Sequence, residues 1–104
     1  MAQIRWSLTA EDDLRNIETF IANDSVVYAV NFVDRLIESV EKLSSSPKIG
    51  RIVPEFDRED LREILFRDYR VVYLLQGNSA NVLRVVHGSR DLTALVRREP
   101  WIIE

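Results

Sequence analysis

Helical periodicity in the first half of the chain and strand-like runs in the second predict an α+β fold. Three observations support this. Apolar residues recur at spacings of three and four from Ala10 to Leu43. Residues 61–66, 69–75 and 82–86 are rich in β-branched and aromatic side chains. Turn residues punctuate both halves, and 104 residues suffice for one core without covalent staples. The expected architecture is an N-terminal strand, an antiparallel helix hairpin, a three-stranded antiparallel meander packed on the helices, and a short C-terminal helix. A single domain spanning 1–104 is expected.

Residues 2–7 alternate Ile4 and Trp6 with Gln3 and Arg5, which reads as a strand. Thr9 offers an N-cap to the first helix, with Asp12 three residues on, and Glu11, Asp12 and Asp13 suit its positive end. Ala10, Leu14, Ile17 and Ile21 then line one face. Asn23-Asp24-Ser25 breaks the period and caps a second helix. Its stripe is Ala29, Val33, Leu36, Val40 and Leu43, widened by Val30 and Ile37. Ser44-Ser45-Ser46-Pro47 ends it, because proline cannot continue a helix. Residues 48–60, with Gly50 and Pro54 and no period, read as a loop.

Arg67-Asp68 joins the first two meander strands as a tight hairpin, and residues 76–80 (Gln-Gly-Asn-Ser-Ala) turn the chain into the third. Asp91 is positioned to cap a terminal helix through Arg98, stopped by Pro100. With the helices on one sheet face, the other face is expected to be free for function.

Composition excludes several function classes. With 46% hydrophobic and 30% charged residues the chain is globular rather than disordered or fibrous. The absence of cysteine removes disulfides, thiolate zinc sites and cysteine nucleophiles. One histidine and three scattered glycines argue against a transition-metal site, a serine triad and a phosphate-binding glycine loop, so no cofactor or metal is expected. The N-terminus has no apolar run of signal-peptide type, and no stretch approaches the ~20 apolar residues of a spanning helix. A soluble, cytoplasmic protein without membrane association is the expectation.

Net charge is −3, but it divides unevenly: residues 1–60 carry 7 basic and 12 acidic side chains, residues 61–104 carry 7 and 5. The overall field repels phosphates, so strong direct nucleic-acid binding is not expected, while the acidic half suits a basic partner.

Two sets of residues are candidates for chemistry. Strand periodicity places Arg62 with Ile64 and Phe66, Arg70 with Val72 and Leu74, and Arg84 with Val82 and Val86. If register aligns these faces, Arg62, Arg70 and Arg84 form a patch away from the helices, able to hold phosphates or carboxylates; otherwise each arginine keeps its face soluble. The second set is His87-Gly88-Ser89-Arg90-Asp91. His87 is either a hydrogen-bonded structural residue or an acid/base group. Arg90 is either ion-paired locally to Asp91 or a clamp for developing negative charge. Spacing alone does not choose.

Leu61-Arg62-Glu63 leading into Tyr69-Arg70-Val71-Val72-Tyr73, then Val85-Val86-His87-Gly88-Ser89-Arg90-Asp91-Leu92, resembles the RelE/ParE superfamily of type II toxins. Ser46-Pro47-Lys48-Ile49-Gly50-Arg51 and Val53-Pro54-Glu55 agree with it, and the resemblance covers roughly residues 4–96. The closing His-Gly-x-Arg-Asp-Leu points to the ParE branch.

The resemblance implies one of two activities. RelE-type members cleave messenger RNA on the ribosome, using arginines matched here by Arg70 and Arg90, lysines on the preceding strand and a C-terminal tyrosine. Residues 61–66 contain no lysine and residues 91–104 no tyrosine. ParE-type members inhibit DNA gyrase by protein binding. The motif-matched positions are Arg62, Arg70, Tyr73, His87, Arg90 and Asp91; were the chain a ribonuclease, Arg70, His87 and Arg90 would be catalytic. The superfamily further implies a cognate antitoxin, with a toxin–antitoxin hetero-oligomer as one form of the pair, and includes the alternative of a non-toxic antitoxin-binding member. The apolar tail Trp101-Ile102-Ile103 packs either on the body or on a partner.

Overall fold

The computed structural model describes residues 1–98. Its elements are β1 (Gln3–Trp6), α1 (Leu8–Ala22), α2 (Val26–Glu41), a 3₁₀ turn (Lys42–Ser44), β2 (Arg51–Ile52), β3 (Leu61–Phe66), β4 (Tyr69–Gln76), β5 (Ser79–His87) and α3 (Leu92–Arg98). The α+β class and element order follow the sequence expectation, with one addition. Within the expected loop, Arg51 and Ile52 pair with Glu63 and Arg62 as an edge strand. Two residues are too few to show a period.

The five-stranded sheet has the order β1-β5-β4-β3-β2. β3, β4 and β5 form the antiparallel meander, and β1 lies parallel to β5, with Gln3 opposite Ser79. Both hairpins turn through a left-handed residue, Arg67 at φ 51° and Gly77 at φ 55°. Between β4 and β5 the register shifts: Val72 faces Arg84 but Tyr73 faces Val82, leaving Leu83 as the extra residue of a bulge.

The first helix is capped by Ser7, not Thr9. Ser7 closes β1 with its N–H on the Val82 carbonyl at 2.9 Å. Its Oγ donates to Leu83 O at 2.9 Å and accepts from Ala10 N–H at 3.0 Å, so one hydroxyl joins sheet and helix. The second cap is Ser25, as expected, accepting from Tyr28 N–H at 3.1 Å. On α2 the stripe of Ala29, Val33, Leu36 and Val40 is buried, but Val30 is exposed and Phe32 is buried instead. The Phe32 ring meets Phe66 and Tyr69 edge-on, at 5.3 and 5.8 Å.

Apolar packing lies on both sides of the sheet. Phe32, Leu36, Val40, Val71, Tyr73 and Val82 make the helix-side cluster. Val53, Leu61, Val72, Leu74, Val86, Leu92 and Leu95 make the other. The far face is therefore not free, because the segment after β2 and the helix α3 cover it.

Candidate functional site

Register decides where the arginines go. Arg62 stands opposite Tyr73, on the helix side, while Arg70 stands opposite Leu65 and Val86, on the α3 side. Arg84, at the bulge, turns to α1, where its Nε donates to Asp13 Oδ2 at 2.9 Å. The same Asp13 oxygen accepts from Val85 N–H at 2.8 Å. The expected patch of Arg62, Arg70 and Arg84 does not form. Each strand's period fixes which residues share a face, but cross-strand pairing and the bulge decide which faces meet.

Arg62 instead serves the loop before β3, donating to the carbonyls of Gly50 at 2.9 Å and Glu59 at 3.0 Å. Tyr73, fully buried, donates its hydroxyl to Pro47 O at 2.7 Å and accepts from Gly50 N–H at 3.0 Å. Burial pushes this phenol above its ordinary pKa. Gly50 has no space for a side chain: a Cβ there would lie 2.6 Å from both Glu63 O and the Tyr73 hydroxyl.

Arg70 is the centre of a buried ionic network. Its Nε donates to Glu63 Oε1 at 2.7 Å, and its two terminal nitrogens form a fork on Glu55, both at 2.7 Å. Nη1 also reaches the Arg90 carbonyl at 3.3 Å, so every donor nitrogen is engaged. Glu63, with a fully buried side chain, accepts from Arg51 Nε at 2.6 Å through its other oxygen. Glu55 Oε2 also accepts from Leu92 N–H, the first residue of α3, at 3.3 Å. The network of Arg51, Arg70, Glu55 and Glu63 is neutral. Its hydrogen bonds from Arg70 hold the Glu55 carboxyl down at about 2, and Glu55 in turn raises Arg70 beyond its already high range.

The motif segment after β5 adjoins this network. His87 is exposed, its ring edge-on to Tyr69 at 5.6 Å. Ser89 N–H donates to His87 Nδ1 at 3.2 Å and Ser89 Oγ lies 2.7 Å from the same nitrogen. An acceptor Nδ1 puts the proton of the neutral ring on Nε2. Gly88 N–H donates to Asp68 O at 2.6 Å, a close approach in which a Cβ would meet that oxygen at 3.2 Å. Asp91 is not paired to Arg90 among the described residues; its Oδ1 accepts from Thr93 N–H at 3.0 Å, starting α3. A cleft of about 400 Å³ lies here, lined by Glu55, Asp68, Arg70, His87 and Ser89 among others.

The structure thus brings together Arg70, His87, Arg90 and Asp91, and leaves Arg62 and Tyr73 on the helix side. Trp101, Ile102 and Ile103 lie outside the described residues. Sequence reasoning missed Glu55 and Glu63. The available signal was Glu63 alternating with Leu61, a charge on an otherwise apolar strand face that needs a counterion. Among the described residues, no group of three or more His, Asp or Glu is placed to hold a metal ion, and no helix is long and apolar enough to cross a membrane.

Comparison with known proteins agrees with this layout. The fold is similar to a chain of the chromosomal ParDE TA system from P. aeruginosa, with 21% identity and a TM-score of 0.70 over 84% of this chain and 96% of that one. It is also similar to the YoeB/ParE toxin from Agrobacterium tumefaciens, with 15% identity and a TM-score of 0.58 over 82% and 96%. No curated protein matches the sequence. The model of the ParE toxin of the type II toxin–antitoxin system, parDE, matches residues 4–92. By that match over most of its length, the chain belongs to the ParE toxin family of type II toxin–antitoxin systems.

Proposed function

We propose that this ParE-family chain acts as a single domain over residues 1–104, arresting growth by binding DNA gyrase in the cytoplasm, without a cofactor, until a cognate antitoxin neutralises it. The observation that carries this reading over RNA cleavage is the occupancy of Arg70. A ribonuclease of this superfamily needs that arginine for the scissile phosphate, and here Glu55, Glu63 and the Arg90 carbonyl engage all three of its nitrogens. The strand before it has no lysine to share the charge, and the C-terminal segment no tyrosine. Binding of a protein target requires none of these groups. His87, Arg90 and Asp91 are then contact or positioning residues of an exposed motif rather than catalysts.

The antitoxin reading is supported by the family and by the acidic α1–α2 pair, which suits a partner with basic residues and apolar anchors. A hetero-oligomer of toxin and antitoxin is the expected resting form. Such a partner stabilises the toxin by mass action, so the melting temperature rises when the neighbouring gene product is added.

The test is a brief induction in bacteria, with DNA and protein synthesis followed separately. An early fall in DNA synthesis with a DNA-damage response supports gyrase inhibition. An early fall in protein synthesis overturns it in favour of RNA cleavage, and unimpaired growth with the protein present favours a non-toxic antitoxin-binding member.

A further inference from the structure

Two hairpins of this sheet turn through the same backbone geometry with different residues. Phe66 pairs with Tyr69 across Arg67-Asp68, and Gln76 pairs with Ser79 across Gly77-Asn78, so each loop has two residues. The first of them is left-handed in both, at φ 51° for Arg67 and 55° for Gly77. Two-residue hairpins favour that conformation because it matches the strand twist, and they fill the position with glycine, asparagine or aspartate. Gly77 follows the rule. Arg67 breaks it, holding a conformation in which a Cβ crowds the backbone. Arg67 is exposed and, among the described residues, forms no ion pair. Its guanidinium lies 5.6 Å from the centroid of the Phe66 ring, a contact that contributes little at an exposed site. Asp57, the other non-glycine residue at positive φ among those described, is of a type that tolerates it. Strain held at an exposed arginine without an internal counterion points to a role outside the fold.

The surroundings of Arg67 form a rigid platform. Tyr69 pairs with His87, so the turn at 67–68 and the segment after β5 leave the sheet at the same end. Gly88 N–H donates to Asp68 O at 2.6 Å, and the Tyr69 and His87 rings meet edge-on, which joins the two. The platform exposes Arg67, His87, Ser89 and Arg90. Arg90 likewise forms no ion pair among the described residues, while Asp91 is turned onto the Thr93 N–H. A chain of net charge −3 therefore offers two unpaired cations, against Asp68, at one end of its sheet.

We propose that Arg67 anchors the gyrase contact, and that the turn at 67–68 with the segment 87–90 seats on a carboxylate-bearing patch of that enzyme. The inference rests on the gyrase reading and names the surface that carries it. A guanidinium suits the task because its fork takes a carboxylate with two hydrogen bonds. Arginine is also among the residues on which interface energy concentrates. The platform is preformed, so docking orders little of the chain. DNA phosphates would accept from Arg67 as well, but the net negative charge of the chain repels them.

The test measures binding of purified gyrase to the full chain and to Arg67→Gly, with thermal melting of each. Glycine removes the guanidinium and relieves the turn in one step. Arg67→Gly should therefore melt no lower than the parent yet bind gyrase about tenfold or more weakly. Arg67→Lys should fall between, because an ammonium keeps the charge and loses the fork. Parent binding should weaken as salt is raised, and binding by Arg67→Gly less steeply. Should the glycine variant melt lower, Arg90→Glu makes the same test from the neighbouring segment and should weaken binding as much. Gyrase binding that neither variant weakens overturns the proposal. So does a loss seen only with DNA present, which assigns Arg67 to phosphates. A loss confined to affinity for the neighbouring gene product overturns it too, in favour of the antitoxin. A parent chain that does not bind gyrase overturns the gyrase reading, and this proposal with it.

Discussion

The Arg70 guanidinium and the Glu55 carboxylate meet as two parallel forks, Nη1 on Oε2 and Nη2 on Oε1, both at 2.7 Å. The contact ties the middle of the sheet to the segment after β2, and Glu55 carries it on to the first amide of α3. Arg70 is thus a structural clamp between β4, β3 and the segment after β2.

Removing Arg70 leaves Glu63 buried with half its partners. Arg70→Ala is expected to cost about 3–5 kcal/mol in urea unfolding, the range for breaking a buried ion pair from one side. Arg70→Lys should recover only part of this, because an ammonium cannot reproduce the fork. A loss under about 1 kcal/mol would show that the network relaxes without it.

Acid should weaken the fold through Glu55. Its carboxyl titrates at about 2 in the folded chain, below the ordinary 4.5, so the unfolded chain binds the extra proton first. The stabilisation is present above pH 4.5 and disappears as pH falls from there toward 2. Urea midpoints measured across that window should fall with pH, and Glu55→Gln should flatten the fall.

Tyr73→Phe removes a buried hydroxyl that bonds Pro47 O and Gly50 N–H. The expected loss is about 1–3 kcal/mol, the usual cost of stranding buried polar groups. Amide exchange at Gly50 should accelerate at the same time.

Asp13→Ala removes the carboxylate that accepts from the Arg84 guanidinium and the Val85 amide. A destabilisation of about 2–4 kcal/mol is expected from thermal or urea unfolding. Asp12→Ala, on the exposed side of the same helix, should stay within about 0.5 kcal/mol and serves as the control.

His87 and Arg90 have exposed side chains, so His87→Ala and Arg90→Ala should leave stability within about 0.5 kcal/mol. If the motif segment contacts the target, both should weaken growth arrest on induction. Full toxicity in the double variant would remove the segment from the contact surface.

Much of this arrangement was legible in the sequence. β3 ran as expected over Leu61–Phe66, because β-branched and aromatic runs between strong turn signals leave few alternatives. Ser25 and the buried stripe of α2 followed from capping and a 3.6-residue period. Ser7 displaced Thr9 because two hydroxyl residues stood near one helix start, and only β5 decides between them. Phe32 displaced Val30 because an aromatic contact across to Phe66 and Tyr69 rotates the buried face. The arginine patch failed at register, which a strand does not encode by itself. Glu63 leaves a local trace, a charge on an apolar strand face, but its partner Arg70 lies 7 positions away, and Glu55 lies 15 positions from Arg70 with no period to connect them.

The parallel pairing of β1 with β5 also sets an order of events during synthesis. Ser7 binds Leu83 across 76 positions, and no intervening strand substitutes for β5 beside β1. A nascent chain carrying both helices and the first meander hairpin still lacks the neighbour of its own N-terminus. The first helix, capped by that same serine, gains this anchor to the sheet only once β5 has been made. A chain released before β5 is made therefore carries an unfinished sheet, with β1 and the capping serine both without their neighbour.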